Sequence, residues 1–436
     1  MKLTELLRNR MNLRVFSLQI VQIVRTGSVF LVSVFLANIY KDTFIISQYE
    51  TLSLVGTGLT FFWVSGLMTT FLPFYYNQPG REKPIIFNTF ISLNLISLLS
   101  SLLIILTGMI FFKSMSLPLF IVFAIYILFN SPAFLTEYFY LIKERKTELI
   151  VYAIAAFTLQ TIAFCLPLYL GASLLDALVF LAGFTFLRFV FLVYLLRHYL
   201  SFKEFDREIF LLHLKRSSPI MLSLLVGGST EIVNGFIVRK FASSHDFALF
   251  RYGAREFPIT RLLANSLSIV LSGEISAALI KNQLTPVLND LKKGSLRLMH
   301  FLFPLTVILL IVSPYLYKLL YTDVFYDSYK IFNVYLLLTV SRLIFPQTIL
   351  MGMQKNNRIL EASVVEFILN LTLGIVLINL FGIYGIPFAT LAAYYVNQLL
   401  LMIVVARNGI KISSYVPWQW LLFYTVISWV VFIIML

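Results

Sequence analysis

Residues 84–112 read PIIFNTFISLNLISLLSSLLIILTGMIFF, a run without one charged side chain. Rising 1.5 Å per residue as a helix, it is long enough to cross a hydrocarbon core of about 30 Å. It does not alternate polar and apolar residues as a barrel strand does, and lipid offers its backbone no other partner, so an α-helix is the form left to it. Runs of the same kind occupy 14–40, 46–76, 117–142, 148–170 and 174–197, then 216–240, 250–280, 294–320, 329–353, 358–381 and 384–406, with 418–436 as a candidate thirteenth crossing. The chain reads as an all-α integral membrane protein.

Composition agrees, with 59% hydrophobic and 12% charged residues and a mean hydropathy of +0.89, beyond what a soluble domain can bury. The net charge of +14 does not indicate nucleic acid, because the basic residues gather in short connections between apolar runs. Alternate connections differ in basic content, Arg81 and Lys83 or Lys143, Arg145 and Lys146 on one side against none near Gly171 and Gly382 on the other. The richer side is cytoplasmic by the positive-inside rule, and so is the N-terminus. The opening MKLTELLRNRMNLR is polar and its first apolar run is too long for a cleavable signal. The lone Cys165 lies in an apolar run and allows no disulfide frame.

An internal repeat organises these runs. Phe123–Leu128 reads FAIYIL and Phe332–Leu337 reads FNVYLL, and the register continues through KERKTELI and MQKNNRIL, with Lys146 opposite Lys355. A weaker pair sets FIISQYETL beside FALFRYGAR. Six helices per copy start each copy on the same side, a parallel repeat about the membrane normal. The expected division is a six-helix lobe at 1–208, a second at 209–411, and 412–436 as an extra helix.

Charge inside such helices is costly. Arg25 falls about 16 Å into the first run, near the midplane, where a guanidinium opposes insertion by roughly 2.5–3.5 kcal/mol. Gln22 and Thr26 share a face with Ser33, flanked by Gln19 and Arg25, giving a polar seam. The seventh run has its own seam of Ser223, Gly227, Thr230 and Asn234, with Glu231 beside it. Close helix packing accounts equally for the small and hydroxyl residues. Further arginines stand at 188, 255, 261 and 342, and Arg25, Arg188 and Arg342 have no acid three or four residues away. Some internal pairing is open to them through Glu50, Glu137, Glu256, Glu274, Glu361 and Glu366, but an anionic ligand is the more economical partner of Arg25, Arg188, Arg255, Arg261 and Arg342, whose planar donor fork matches phosphate. Glu231 and Glu366 are candidates for coupling to Na⁺ or H⁺. Gly253 and Pro258 mark a kink or unwound turn in the eighth run, as transport sites often have.

Enzyme chemistry is not expected. His198, His213, His245 and His300 fall in connections or near the ends of runs, without metal-site spacing, and no P-loop is present. No catalytic residue, metal site or bound cofactor is read from the chain.

Residues 351–401, MGMQKNNRILEASVVEFILNLTLGIVLINLFGIYGIPFATLAAYYVNQLLL, resemble the eleventh and twelfth helices of Wzx-type polysaccharide flippases, through the G-x-x-K turn, the Asn370–Leu371 pair and the small-residue helix after FGIYG. Pro387 stands where that family more often has Ala. The pattern is shared across the wider MOP superfamily of drug and cation antiporters and lipid II flippases. The resemblance implies a MATE-like pair of lobes, alternating access, and export of an undecaprenyl-diphosphate-linked oligosaccharide from the cytoplasmic to the periplasmic leaflet of the bacterial inner membrane. It implies a polysaccharide polymerase and glycosyltransferases as working partners, and cavity arginines on the diphosphate. The rival readings are a small-molecule cation antiporter, which would favour an acidic cavity, and a membrane glycosyltransferase or polymerase, which would need a catalytic loop.

Overall fold

The structure, a computed structural model, describes residues 2–40, 43–76, 78–280 and 283–435, so Lys41 and Lys281 lie outside the described residues. The chain packs as two compact units, Met1–Leu225 and Val226–Leu436. Every regular element among the described residues is helical.

The first unit holds α1 (Lys2–Ile39), α2 (Thr43–Tyr76), α3 (Glu82–Phe111), α4 (Leu117–Ala133), α5 (Leu135–Ile142), α6 (Lys146–Tyr169), α7 (Leu174–Leu196) and nearly all of α8 (Arg207–Gly228). Helix α3 shows how the sequence solves a lipid environment. Leu98, Leu99, Leu102 and Leu106 are exposed, whereas Ser97, Ser100 and Ser101 are buried. The buried hydroxyls find interhelical partners: Ser97 Oγ donates to Ile127 O at 3.0 Å, Ser101 Oγ to Ala124 O at 2.9 Å, and Ser100 Oγ receives the Trp63 indole N–H at 3.1 Å. Small polar residues inside and large apolar ones outside are what a helix facing hydrocarbon requires. The apolar core of this unit forms around Trp63, Leu67, Phe71, Ile85, Leu135 and Leu192.

The second unit holds α9 (Thr230–Phe241), α10 (Ser244–Gly253), α11 (Pro258–Ile280), α12 (Leu284–Leu320), α13 (Ser328–Leu336), α14 (Thr339–Arg342), α15 (Pro346–Gly352), α16 (Asn356–Phe381), α17 (Gly385–Arg407) and α18 (Trp418–Ile434). Ile275, Leu291, Met299, Phe303, Leu343 and Leu401 centre its core.

Among the described residues nine helical stretches are long and apolar enough to cross a membrane, or ten with the bent pair Ser328–Arg342 and Pro346–Gly352. One of the nine, Asn356–Arg407, is a hairpin: α16 and α17 pack along each other, reversed at Gly382, whose φ is 61°. At 1.5 Å per residue a straight helix of its 52 residues would span about 78 Å, more than twice the hydrocarbon core. The reversal leaves no room beside Gly385, where a Cβ would stand 2.3 Å from Leu377 O.

The continuous helices read at 216–240 and 250–280 are not present. The first is cut at Ser229, between α8 and α9, and the second is cut between Gly253 and Pro258. Proline lacks the N–H that would continue the upstream helix but suits the first turn of the next. Helix α18 is apolar but has 17 residues.

His213 also departs from the sequence reading. It lies within α8, 1% exposed, with Nε2 3.2 Å from Thr70 Oγ1 and Nδ1 3.2 Å from Thr89 Oγ1, and its ring stacks on Phe74. His300 is likewise inside α12, bonded to Tyr424 at 2.8 Å. The polar neighbours of His213 resemble a connection and those of His300 a helix end, yet both helices extend beyond their apolar runs.

Candidate functional site

In the first unit Arg25 meets a buried carboxylate, and a second arginine, Arg188, is held by neutral acceptors. Helix α4 ends beside Pro132, and the restart at Leu135 carries Glu137 on α5 inward, where it is 3% exposed. One Arg25 nitrogen, Nη2, lies 2.6 Å from each Glu137 oxygen. The guanidinium sits 4.3 Å from the Phe134 ring centroid and 5.2 Å from that of Phe157, and its Nε is buried without a hydrogen-bond partner.

Arg188 on α7 is 5% exposed. It donates to Gln160 Oε1 at 2.6 Å, Asn130 Oδ1 at 3.3 Å and the Tyr152 hydroxyl at 3.4 Å, all neutral acceptors. The Glu137 carboxylate, paired with Arg25, also contributes a smaller electrostatic interaction with Arg188. Together these three side chains carry two positive charges and one negative.

The seam read on the first helix divides. Gln22 and Thr26 are exposed and Gln19 is half-buried, while Ser33 turns inward and bonds its own Phe30 carbonyl at 2.7 Å. Ser28, overlooked in the sequence, stands one turn below Arg25 with its Oγ 2.5 Å from Thr161 Oγ1. Its only signal was its place on the same face as Arg25.

In the second unit Arg342, at the end of α14, pairs with Glu256, Nε to Oε1 at 2.6 Å and Nη2 to Oε2 at 2.8 Å, a fork-to-fork geometry. The Tyr394 hydroxyl accepts from Nη2 at 3.3 Å. Glu256 belongs to the break between α10 and α11, where Arg255 also lies, half-buried, with Nε 3.5 Å from Arg251 O. Arg261 is exposed on α11. Of the two partners left open for Arg25 and Arg342, an internal acid or a ligand anion, the structure shows an internal acid for each, and both acids come from interrupted segments distant in sequence.

Asn234 is buried on α9, its amide donating to Thr390 Oγ1 at 2.7 Å and its Oδ1 accepting from Asn370 Nδ2 at 2.8 Å. Thr230 is buried one turn earlier, and Glu231 between them is exposed. Glu366 on α16 is buried, with Asn397 Nδ2 2.5 Å from its Oε2. No group of three or more metal-ligating His, Cys, Asp or Glu residues occurs among the described residues.

Comparison with known proteins follows this geometry. A family model described as lipid II flippase MurJ matches residues 162–436. Among solved structures, a lipid II flippase MurJ in an inward closed conformation superposes with a TM-score of 0.65 at 17% identity, covering 95% of this chain and 97% of that one. An inward-facing multidrug resistance MATE family transporter of the MOP superfamily gives 0.62 at 13% identity over 92% and 98%. A MOP superfamily transporter from Pyrococcus furiosus, described as having a binding pocket of reversed polarity, gives 0.57 at 13% over 92% and 96%. No match was found among curated proteins. At these identities the structures establish the fold, that of MurJ and MATE transporters. The family match covers more than half the chain and falls on MurJ, where residues 351–401 had resembled the related Wzx-type flippases. The chain belongs to the lipid II flippase MurJ family, a family of multi-pass membrane transporters rather than enzymes.

Proposed function

We propose that this protein carries a diphosphate-linked lipid sugar from the cytoplasmic to the periplasmic leaflet by alternating access, with Arg25 and Arg188 recognising the diphosphate. The observation that carries the reading is the presence of two guanidinium groups in apolar helices of the first unit, Arg25 paired with Glu137 and Arg188 held by neutral acceptors. A multidrug-type cation substrate would meet repulsion there, which weighs against the antiporter reading. Arg255, Arg261 and Arg342 are the second unit's own candidates for an anion, Arg342 being the one already forked onto Glu256. Gln19, Gln22, Thr26, Thr230 and Asn234 are the polar candidates along the path.

The family supports lipid II as cargo, and the Wzx-like stretch at 351–401 supports a related undecaprenyl-diphosphate oligosaccharide, supplied by glycosyltransferases and consumed by a polymerase. The basic connections support a cytoplasmic N-terminus, and the repeat supports two parallel lobes, 1–208 and 209–411, followed by 412–436.

Reconstitution tests this directly. Vesicles holding the purified protein receive labelled lipid II, a labelled diphosphate-linked oligosaccharide, or a lipophilic cation, and movement between leaflets is followed. Movement of either diphosphate lipid supports the proposal and identifies the sugar class. Movement of the cation alone overturns it.

A further inference from the structure

The geometry around Glu366 points to a proton-binding site inside the second unit: we infer that this carboxyl exchanges a proton with solvent as part of the working cycle, using the Asn397 amide as its reversible partner. Glu366 is 5% exposed and projects from the face of α16 that also buries Asn370 and Gly374. A carboxylate so placed is ordinarily held by a cation at ion-pair distance, or else takes up a proton. Here the guanidinium that acts on Glu366 is engaged elsewhere, since Arg342 has its Nε and Nη2 on Glu256 at 2.6 and 2.8 Å. The Glu366 carboxylate has one hydrogen bond, from a neutral donor, Asn397 Nδ2 at 2.5 Å.

The second observation lies on that donor. Asn397 is itself buried, and its Oδ1 has no hydrogen-bond partner. An amide offers donors on one edge and an acceptor on the other. With Glu366 ionised, Nδ2 donates to it; with Glu366 protonated, the amide turned over presents Oδ1 to the new O–H. One pair of side chains therefore satisfies both charge states, and the protonated state also satisfies the orphaned oxygen.

The surrounding charges are few. Helix α17 brings Tyr394 and, elsewhere along it, Tyr395 and Arg407; α14 brings Arg342, and Glu256 and Arg261 lie, like Glu366, in the field around Tyr394. Of the other elements packed on α16, α9 carries Glu231, Arg239 and Lys240, the turn at Gly382–Tyr384 carries Tyr384, and α15 has no titratable residue. Glu231, the other acid singled out for coupling, is exposed and has no comparable enclosure.

Infrared difference spectroscopy of the full chain in lipid nanodiscs, titrated between about pH 5 and pH 9 without any lipid-linked sugar, tests the site separately from transport. A protonated-carboxyl C=O band that titrates reversibly, is lost in Glu366→Gln and persists in Glu231→Gln supports the inference. A titrating band that survives Glu366→Gln, or no such band in the native chain, overturns it. Should Glu366→Gln fail to insert, a hydrophobic carbodiimide, which captures protonated carboxyls, is applied to the native protein and located by peptide mass spectrometry. An adduct on Glu366 that declines as pH rises supports the site, and a recovered but unmodified Glu366 peptide at pH 5 overturns it.

Discussion

Glu144 and Gln354 hold the same left-handed backbone, φ 58° and 57°, at the same point of the same turn in the two units. Each turn closes with N–H of the following residue on the carbonyl five before it, Arg145 to Tyr140 at 3.0 Å and Lys355 to Leu350 at 2.9 Å, and the next helix begins at once. This is a Schellman closure with a long polar residue where glycine is usual.

Replacing Gln354 with glycine should stabilise the protein. A side chain in this region strains the backbone by about 1–2 kcal/mol, while glycine's extra freedom in the unfolded chain returns only about 0.4–1 kcal/mol. The net gain, of order 0.5–1 kcal/mol, should appear as a small rise in melting temperature in detergent. A fall would mean that the Gln354 side chain makes a contact worth more than its strain.

These turns also measure what could be read in advance. They align at an offset of 210 (144 to 354), so Lys355 stands opposite Arg145, each preceding its helix, and not opposite Lys146. The sequence pairing was one residue short because the second copy breaks its helix twice, around 337–338 and 343–345, where the first breaks once. Hydropathy located the second to sixth crossings closely, as in 84–112 against Glu82–Phe111, because each is one apolar stretch, and began α1 twelve residues late, at 14 instead of Lys2. It set α12 ten residues late, at 294 instead of Leu284, since Asp290, Lys292 and Lys293 interrupt the apolar run but not the helix. The arginines were legible one by one from their cost in lipid. Their partners were not, because Glu137 and Glu256 reach them through helix breaks.

Gly385→Ala should be among the most damaging single-methyl substitutions. The added Cβ would meet Leu377 O and C at 2.3 and 2.5 Å, backbone that cannot rotate away, so α16 and α17 must separate. Overpacking of this kind costs about 1–3 kcal/mol or more. Gly27→Ala, where nothing lies within 4 Å, serves as the control. Thermal unfolding of the two variants should differ clearly, and equal stability would show that the hairpin packs less closely.

His213→Ala should destabilise the first unit by about 2–4 kcal/mol, because it removes a stacked ring and leaves the buried hydroxyls of Thr70 and Thr89 short of a partner. Thr70 retains Ser217 at 2.6 Å, so Thr89 should suffer more. Pairing His213→Ala with Thr89→Val should therefore recover part of the loss in a double-mutant cycle. Strict additivity would show that the two groups are not coupled.

Arg25→Lys should impair transport although it keeps the charge. The guanidinium fork can give two bonds to a diphosphate, each charge-assisted bond is worth about 1.5–3 kcal/mol, and an ammonium does not reproduce that geometry. Losing one bond corresponds to roughly ten- to a hundredfold in substrate capture. Flipping in vesicles at equal protein load is the measurement. A lysine variant with native capture would leave point charge as the whole of the requirement.

Glu137→Gln separates recognition from mere ion pairing at Arg25. In the present arrangement Glu137 competes with any incoming phosphate for Nη2 of Arg25, and its negative charge opposes an anion near Arg188. Glutamine keeps the shape and one acceptor oxygen but removes the competing charge. If the cluster recognises a diphosphate, the variant should capture the lipid more tightly, by several-fold to about tenfold for one charge-assisted bond released, and release it more slowly, so that the concentration for half-maximal flipping and the maximal rate both fall. If Arg25 and Glu137 are only a structural pair, removing one buried partner should instead destabilise the protein, by up to about 3–5 kcal/mol for a fully buried pair and less here because Arg25 is 29% exposed, with half-maximal concentration unchanged. Thermal unfolding and the concentration dependence of flipping, measured on the same preparation, tell the two apart, and the second pattern would remove Arg25 from the substrate site.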